Sequence, residues 1–286
     1  MVIPESAEPS RNLAQFVAFV ALAVGLFVLA GWAFGMDQLT NIVPTWPRVV
    51  RLTALAFILS GFALWLATIQ KRVPAIIAAG LLTAIGAIVL LKYATGWDVY
   101  LDQLSLAQMP QVLDGNTPPR MAPASALAFF LLGASLLFAQ RPRGALIHQG
   151  LAVVGMVLGW LGLSRYMFGG EPLFPFADMA VHTATLLLML TGATLTLRPD
   201  AGVARLLASG GVGGAMARRL LPAAIIVPLV AGSLTLYFER HHTLSFATAV
   251  AFFALASVVV FVAFVWINAA RGERADSLRR AAERAL

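Results

Sequence analysis

Cysteine is absent from the 286 residues, which excludes disulfides, thiolate-bound haem and cysteine-held zinc or iron–sulfur centres. Charge is also scarce: 12 % of residues are charged, against about a quarter in an average soluble chain. Almost no acid or base stands at the centre of an apolar run, where proton-coupled transporters place their ionisable groups. That shortage counts against transport. The signatures GxSxG, HExxH and the P-loop are missing too. No residue is therefore a candidate for catalysis, and neither enzymatic activity nor a cofactor is expected.

What is present is apolar surface, at 60 % of the residues, gathered into runs that approach or pass the roughly twenty residues needed to cross a bilayer. These runs predict an all-α polytopic membrane protein with eight transmembrane helices. The spans are expected at Ala14–Phe34, Val50–Ala67, Pro74–Ala94, Met121–Ala139, Ala145–Phe168, Ala180–Leu197, a seventh after Arg218 and Arg219 ending near Phe238, and Phe246–Ala269. The first is too long for the apolar core of a cleaved signal peptide and begins a repeat. Residues 1–13 then form an N-terminal segment, 14–269 the membrane domain and 270–286 the start of a charged helix.

The runs are repeats of one another. Thr53, Ser125 and Thr183 each open one, and Gly61, Gly133 and Gly192 follow eight, eight and nine residues later. A fainter copy begins at Thr248. Before each run an aromatic residue closes the preceding helix, at Trp32, Tyr93, Tyr166 and Tyr237. The unit is a helical hairpin written about four times. Its glycines are expected to let a neighbouring backbone approach closely. Its hydroxyls are expected to cap free amides or to bond the preceding turn.

Basic residues alternate between the turns. The N-terminus, the turns near residues 71, 142 and 209, and the tail hold fourteen of the twenty lysines and arginines. By the positive-inside rule those segments, and both termini, lie in the cytoplasm. The formal charge of +7 sits in short tracts beside spans, which excludes a nucleic-acid groove. The run Ser209–Gly214 lacks the preceding strand and the Lys-Ser/Thr ending of a phosphate loop. It is expected to break a short interfacial helix, Val203–Ala208, from the seventh span, in which Pro228 is a possible kink.

Polar residues collect at the opposite, outer ends. Tyr93, Asp98, Asp102, Arg120, Arg165, Tyr166, Asp178, His182, Glu239, His241 and His242 are the candidates for sensing a signal there. Asp98 and Asp102, four apart, are able to share a helix face. His182, His241 or His242 with Asp178 or Glu239 have the chemistry to hold a metal or respond to acid, but no ligand spacing typical of zinc is present.

After Trp266 the tail reads INAARGERADSLRRAAERAL, with Leu278, Ala282 and Leu286 at four-residue intervals. Such a stripe has little to bury alone and is expected to pair with a second copy in a parallel homodimer. The ALAF runs with their glycines, GWDVYLDQL at 96–104, RMAPASALAFFLLG at 120–133, LLASGGVGGAMARRLLP at 206–222 and the charged helix after the last span carry a family resemblance. Over residues 14–286 the chain resembles the N-terminal multi-span sensory region of bacterial signalling proteins. The resemblance implies an input module in the bacterial inner membrane, in contact with membrane lipids. Through its last span it would relay a periplasmic or bilayer-derived signal to a cytoplasmic kinase, cyclase or PAS domain, in cis or in trans. The alternatives are a small-solute transporter or channel, and a non-catalytic assembly subunit of a membrane complex.

Overall fold

A computed structural model of the chain describes residues 8–40, 48–96, 120–168, 179–199, 201–209, 212–241 and part of 248–262. Among these residues only helices and their connections occur. The order is α1 (Glu8–Phe34), α2 (Asp37–Thr40), α3 (Arg51–Thr68), α4 (Arg72–Thr95), α5 (Pro123–Ala139), α6 (Ala145–Phe168), α7 (Val181–Leu195), α8 (Gly202–Ala208) and α9 (Val212–Arg240). Four segments, Ser10–Phe34, Arg51–Thr68, Arg72–Thr95 and Ala145–Phe168, are long and apolar enough to cross a membrane. α5 and α7 are shorter apolar helices. Leucine- and alanine-rich runs favour this outcome, because neither residue restricts the helical backbone or buries a polar group.

The ends of these helices follow local chemistry. Gly96 closes α4 at φ +69°, its amide bonded to Lys92 O at 2.9 Å. A residue without Cβ adopts this left-handed position without strain. Gln70 takes the same conformation at φ +61° after α3, and the Lys71 amide reaches back to Leu66 O at 3.0 Å. The tight turn into α4 follows directly. The expected eighth span and the tail lie largely or wholly outside the described residues. So does most of the connection between α4 and α5.

The chain divides into two compact units, Met1–Ala204 and Arg205–Leu286. The second corrects one expectation. α9 begins at Val212, so Gly213 and Gly214 lie inside it and both Pro222 and Pro228 are internal. α8 ends at Ala208, four residues before α9 begins. Gly214 approaches Leu206 O at 2.8 Å measured from where a Cβ would sit, and that bare face lets the helix start against the end of α8. Arg218 secures the corner by donating to Ser209 O at 2.8 Å.

The first unit is three hairpins around a common centre. α1 pairs with α3, α4 with α5, and α6 with α7, while α3, α5 and α7 also touch one another. α1 meets α7 and closes the ring. Burial agrees with this placement: 67 % of α3 is buried against 33 % of α1 and of α4. At the centre Phe57, Phe129 and Leu187 are each fully buried, each four residues after a repeat hydroxyl. The two rings meet edge-on with centroids 5.1 Å apart, an arrangement that suits their quadrupoles.

In the first two hairpins the contact is reciprocal. A Cβ on Gly25 of α1 would lie 2.7 Å from Ala54 O, and one on Gly61 of α3 would lie 2.5 Å from Ala18 O. In the second hairpin Gly86 meets Ala126 O at 2.7 Å, and Gly133 meets Thr83 N at 2.8 Å and Ala79 O at 2.9 Å. In the third, Gly159 meets Ala184 O at 3.2 Å. The partners fall at matching places, since Ala54, Ala126 and Ala184 each follow the repeat hydroxyl directly. Gly192 breaks the pattern: nothing lies within 4 Å of its would-be Cβ. Its counterpart in space is Thr191, whose methyl sits 3.0 Å from the Cβ position of Gly155. Gly192 is thus no close-packing glycine, because the extra residue in its spacing rotates it away from α6.

Alanine substitution separates these positions. Gly61→Ala or Gly133→Ala forces a methyl into a neighbouring backbone and should cost about 1–3 kcal/mol. Gly192→Ala should be neutral or stabilise by up to about 1 kcal/mol, since alanine is the better helix former. Thermal unfolding followed by tryptophan fluorescence checks the order; equal effects at Gly133 and Gly192 would refute it.

Candidate functional site

The end of the first unit where α3, α5 and α7 begin is built from the same repeat. Seven residues after Gly25, Gly86 and Gly159 come Trp32, Tyr93 and Tyr166. Trp32 Nε1 donates to Val49 O at 2.9 Å, Tyr93 Oη to Met121 O at 2.9 Å and Tyr166 Oη to Met179 O at 2.7 Å. Each bond fixes the strand of chain that leads into the next helix. Arg51 lies over the Trp32 ring at 4.7 Å and Arg165 over Tyr166 at 5.7 Å, within cation–π range.

The helices that follow start in one fashion. Val50, Ala122 and Ala180 precede them in extended conformation, with ψ of 158°, 144° and 146°, and supply no side-chain cap. The first intrahelical bonds run from Ala54 to Val50 O, Ala126 to Ala122 O and Ala184 to Ala180 O, at 3.1, 3.0 and 3.0 Å. Thr53, Ser125 and Thr183 are therefore third residues of their helices and do not cap them. A capping oxygen must precede the first turn, and these stand inside it.

Their hydroxyls instead line a shared cavity of about 230 Å³. Its wall repeats three times, as Val49, Met121 and Met179, then Val50, Ala122 and Ala180, then Thr53, Ser125 and Thr183. Arg48 and Arg120 complete the lining as exposed rim residues. The hydroxyl residues are only 4, 2 and 2 % exposed. Among the described residues none of the three hydroxyls has a hydrogen-bond partner.

Of the expected sensing residues, Tyr93 and Tyr166 hold the wall of this cavity and Arg120 its rim. Arg165 lies beside Tyr166. His182 is the second residue of α7, and its Nδ1 is buried without a partner among the described residues. Glu239 and His241 belong to the second unit, where the His241 ring packs tilted against Tyr237 with centroids 4.4 Å apart. Asp98, Asp102, Asp178 and His242 lie outside the described residues. Among the described residues no three His, Asp or Glu side chains come together to hold a metal.

Some polar residues escaped the sequence patterns. At the opposite end, His148 is fully buried between α5 and α7. Its Nε2 lies 3.0 Å from Thr194 O, and Nδ1 lies 2.8 Å from Ser135 Oγ and 3.0 Å from Ser135 O. Gln149 donates to Ala201 O at 2.7 Å, and Arg198 donates to Arg141 O at 3.0 Å. A second cavity of about 260 Å³ opens there, lined among others by Gln70, Arg72, Gln140, Arg141 and Arg198. A lone histidine three residues into a span carries no periodic signal, although its nearness to a basic turn marks the basic end of the bundle.

In comparisons with known proteins, no protein-family model, no curated protein and no solved structure matches the chain. Function therefore rests on the geometry of the site itself.

The aromatic-to-carbonyl bonds should prove structural supports of the cavity. Tyr93→Phe and Tyr166→Phe each remove one neutral hydrogen bond, worth about 1 kcal/mol, and the double variant should lose the sum because the bonds are on different hairpins. Thermal unfolding of the single and double variants measures this, and an unchanged melting temperature in both single variants would show that the bonds support nothing.

Proposed function

We propose that the chain is a membrane sensory module that takes its signal at the aromatic end of the first unit and relays it through its last span to a cytoplasmic output domain. In this account eight spans cross the bacterial inner membrane, with both termini in the cytoplasm. The basic turns support that orientation. Lys71, Arg72, Arg141, Arg143 and Arg198 all stand at the end opposite the aromatic cavity, and cytoplasmic connections carry the excess of lysine and arginine.

The observation that carries the proposal is the cavity shared by three equivalent helices. Anything bound there touches α3, α5 and α7 at the same position of each, and so biases the spacing of all three. A bundle held by backbone-to-backbone contacts answers such a bias by shifting helices as rigid bodies. In this proposal the shift passes along the chain after α7 to residues 270–286, whose apolar stripe is expected to pair two copies of the chain. A ligand that prefers one spacing shifts the population toward it.

A transport role has one observation in its favour, the presence of a cavity at each end of the same three helices. Between them stand Phe57, Phe129 and Leu187, all fully buried. Transport requires this plug to open, whereas signalling requires only that it tilt. Solute flux in liposomes separates the two.

Fusion of the full chain to a cytoplasmic diguanylate cyclase provides the test of relay. Thr53→Val and Ser125→Ala, which alter the cavity and leave the hairpin contacts in place, should change cyclase output about fivefold or more, the size of a typical allosteric coupling. Output equal to that of the parent fusion in both variants, at equal expression, would end the proposal.

A further inference from the structure

We propose that the aromatic-end cavity binds a small oxyanion, held by the hydroxyls of Thr53, Ser125 and Thr183, the first-turn amides of α3, α5 and α7, and the guanidinium of Arg120. This deepens the sensory proposal by naming the chemistry of its ligand, and it rests on the same cavity.

The helix starts beside that space carry amides with no intrahelical partner, and of their residues Thr53, Ser125 and Thr183 line the cavity itself. Before the first intrahelical bond of each helix stand the amides of Arg51, Leu52 and Thr53, of Ala124 and Ser125, and of Val181, His182 and Thr183. Pro123 contributes none. Three helix N-termini bring about half a positive charge each to one place, and such termini favour anions. The carbonyl oxygens that face the same region, on Val49, Met121 and Met179, already accept bonds from Trp32, Tyr93 and Tyr166. Among the described residues that line the cavity none is acidic.

The hydroxyls supply the second, independent sign of a ligand. Each is more than nine-tenths buried, lines the cavity and has no partner among the described residues. None of the three oxygens is sealed from solvent; each opens onto the cavity without a protein partner, and three share one space. An acceptor with several oxygens satisfies them together, which a single apolar ligand cannot. Arg120 stands exposed at the mouth, placed to bond such an oxyanion with charge assistance. A volume of about 230 Å³ is below the range usual for drug-sized ligands. It suits a phosphate, sulfate or short carboxylate group, whether free or at the head of a lipid.

Isothermal calorimetry on the purified full chain, exchanged into phosphate-free buffer, is the test, with inorganic phosphate, sulfate and acetate as probes and chloride as control. Saturable binding of at least one oxyanion is expected, with affinity lowered about tenfold or more by Arg120→Gln, in keeping with a charge-assisted bond. Arg120→Lys should retain part of it. The triple variant Thr53→Val, Ser125→Ala, Thr183→Val should abolish binding while its thermal unfolding shows that it folds. Should the triple variant not fold, Arg120→Gln, an exposed rim change, decides alone. The same titration in nanodiscs of phosphatidylcholine, with and without phosphatidylglycerol, distinguishes the sources. Loss of phosphate binding only when the anionic lipid is present assigns the site to a lipid headgroup, and unchanged binding assigns it to a free oxyanion.

No saturable binding by any oxyanion up to about 10 mM, an affinity too weak to count as recognition, would overturn the proposal. So would binding that Arg120→Gln leaves unchanged. Neither result bears on relay, which the fused cyclase reports without reference to any ligand, and a silent fusion leaves the calorimetry intact.

Discussion

Close approach of two helix backbones is the constraint on which the first unit depends. Lipid offers an apolar side chain as good a surrounding as another helix does, so association in a membrane rests on packing and short-range polar contact. The pairs Gly25 with Gly61 and Gly86 with Gly133 provide it by removing side chains from both sides of the same interface. Gly159 does so from one side in the third hairpin, where Thr191 fills what a second glycine would leave open. Because these contacts recur at matching positions, the three hairpins present matching ends, and the cavities at both ends follow from that repetition. The Trp32, Tyr93 and Tyr166 bonds then fix where each central helix begins.

Much of this was legible in the sequence. The hairpin repeat, the all-helical class and the limits of α6 follow from the apolar runs and the recurring hydroxyls, glycines and aromatics. The third hairpin shows why residue type alone misleads. Gly192 matches Gly61 and Gly133 by identity, but one extra residue turns a helix by about 100°, and Thr191 occupies the place in space. The glycines of the first helices, Gly25, Gly86 and Gly159, lie in runs with several other small residues, so their role emerges only when the partner helix is placed. The hydroxyls resemble caps because they stand near the start of apolar runs. Each helix begins three residues earlier than that likeness suggests, which turns a cap into a cavity wall.

A bundle of this kind has limited means of producing function. Its central helices are sealed by Phe57, Phe129 and Leu187, and its polar groups are displaced to the two ends. At the basic end they are largely occupied with one another: His148 with Ser135 and Thr194, Gln149 with Ala201, Arg198 with the turn after α5. At the aromatic end three hydroxyls are left over. That asymmetry, a latched end and an open one, is what supports the proposed one-sided input. In the proposed sensory role, a change in spacing at the open end would pivot on the latched end.

The central claim is that three hairpins set their hydroxyls around one space, and the cysteine-free chain allows it to be tested without background. Paired substitutions Thr53→Cys with Ser125→Cys, Ser125→Cys with Thr183→Cys, and Thr53→Cys with Thr183→Cys can be joined in membranes by a short bifunctional maleimide. The pairs would be read from altered gel mobility. The account predicts that all three pairs link. Linkage of the two sequence-adjacent pairs without the pair formed by residues 53 and 183 would show an open row of hairpins in place of a closed ring, and would contradict it.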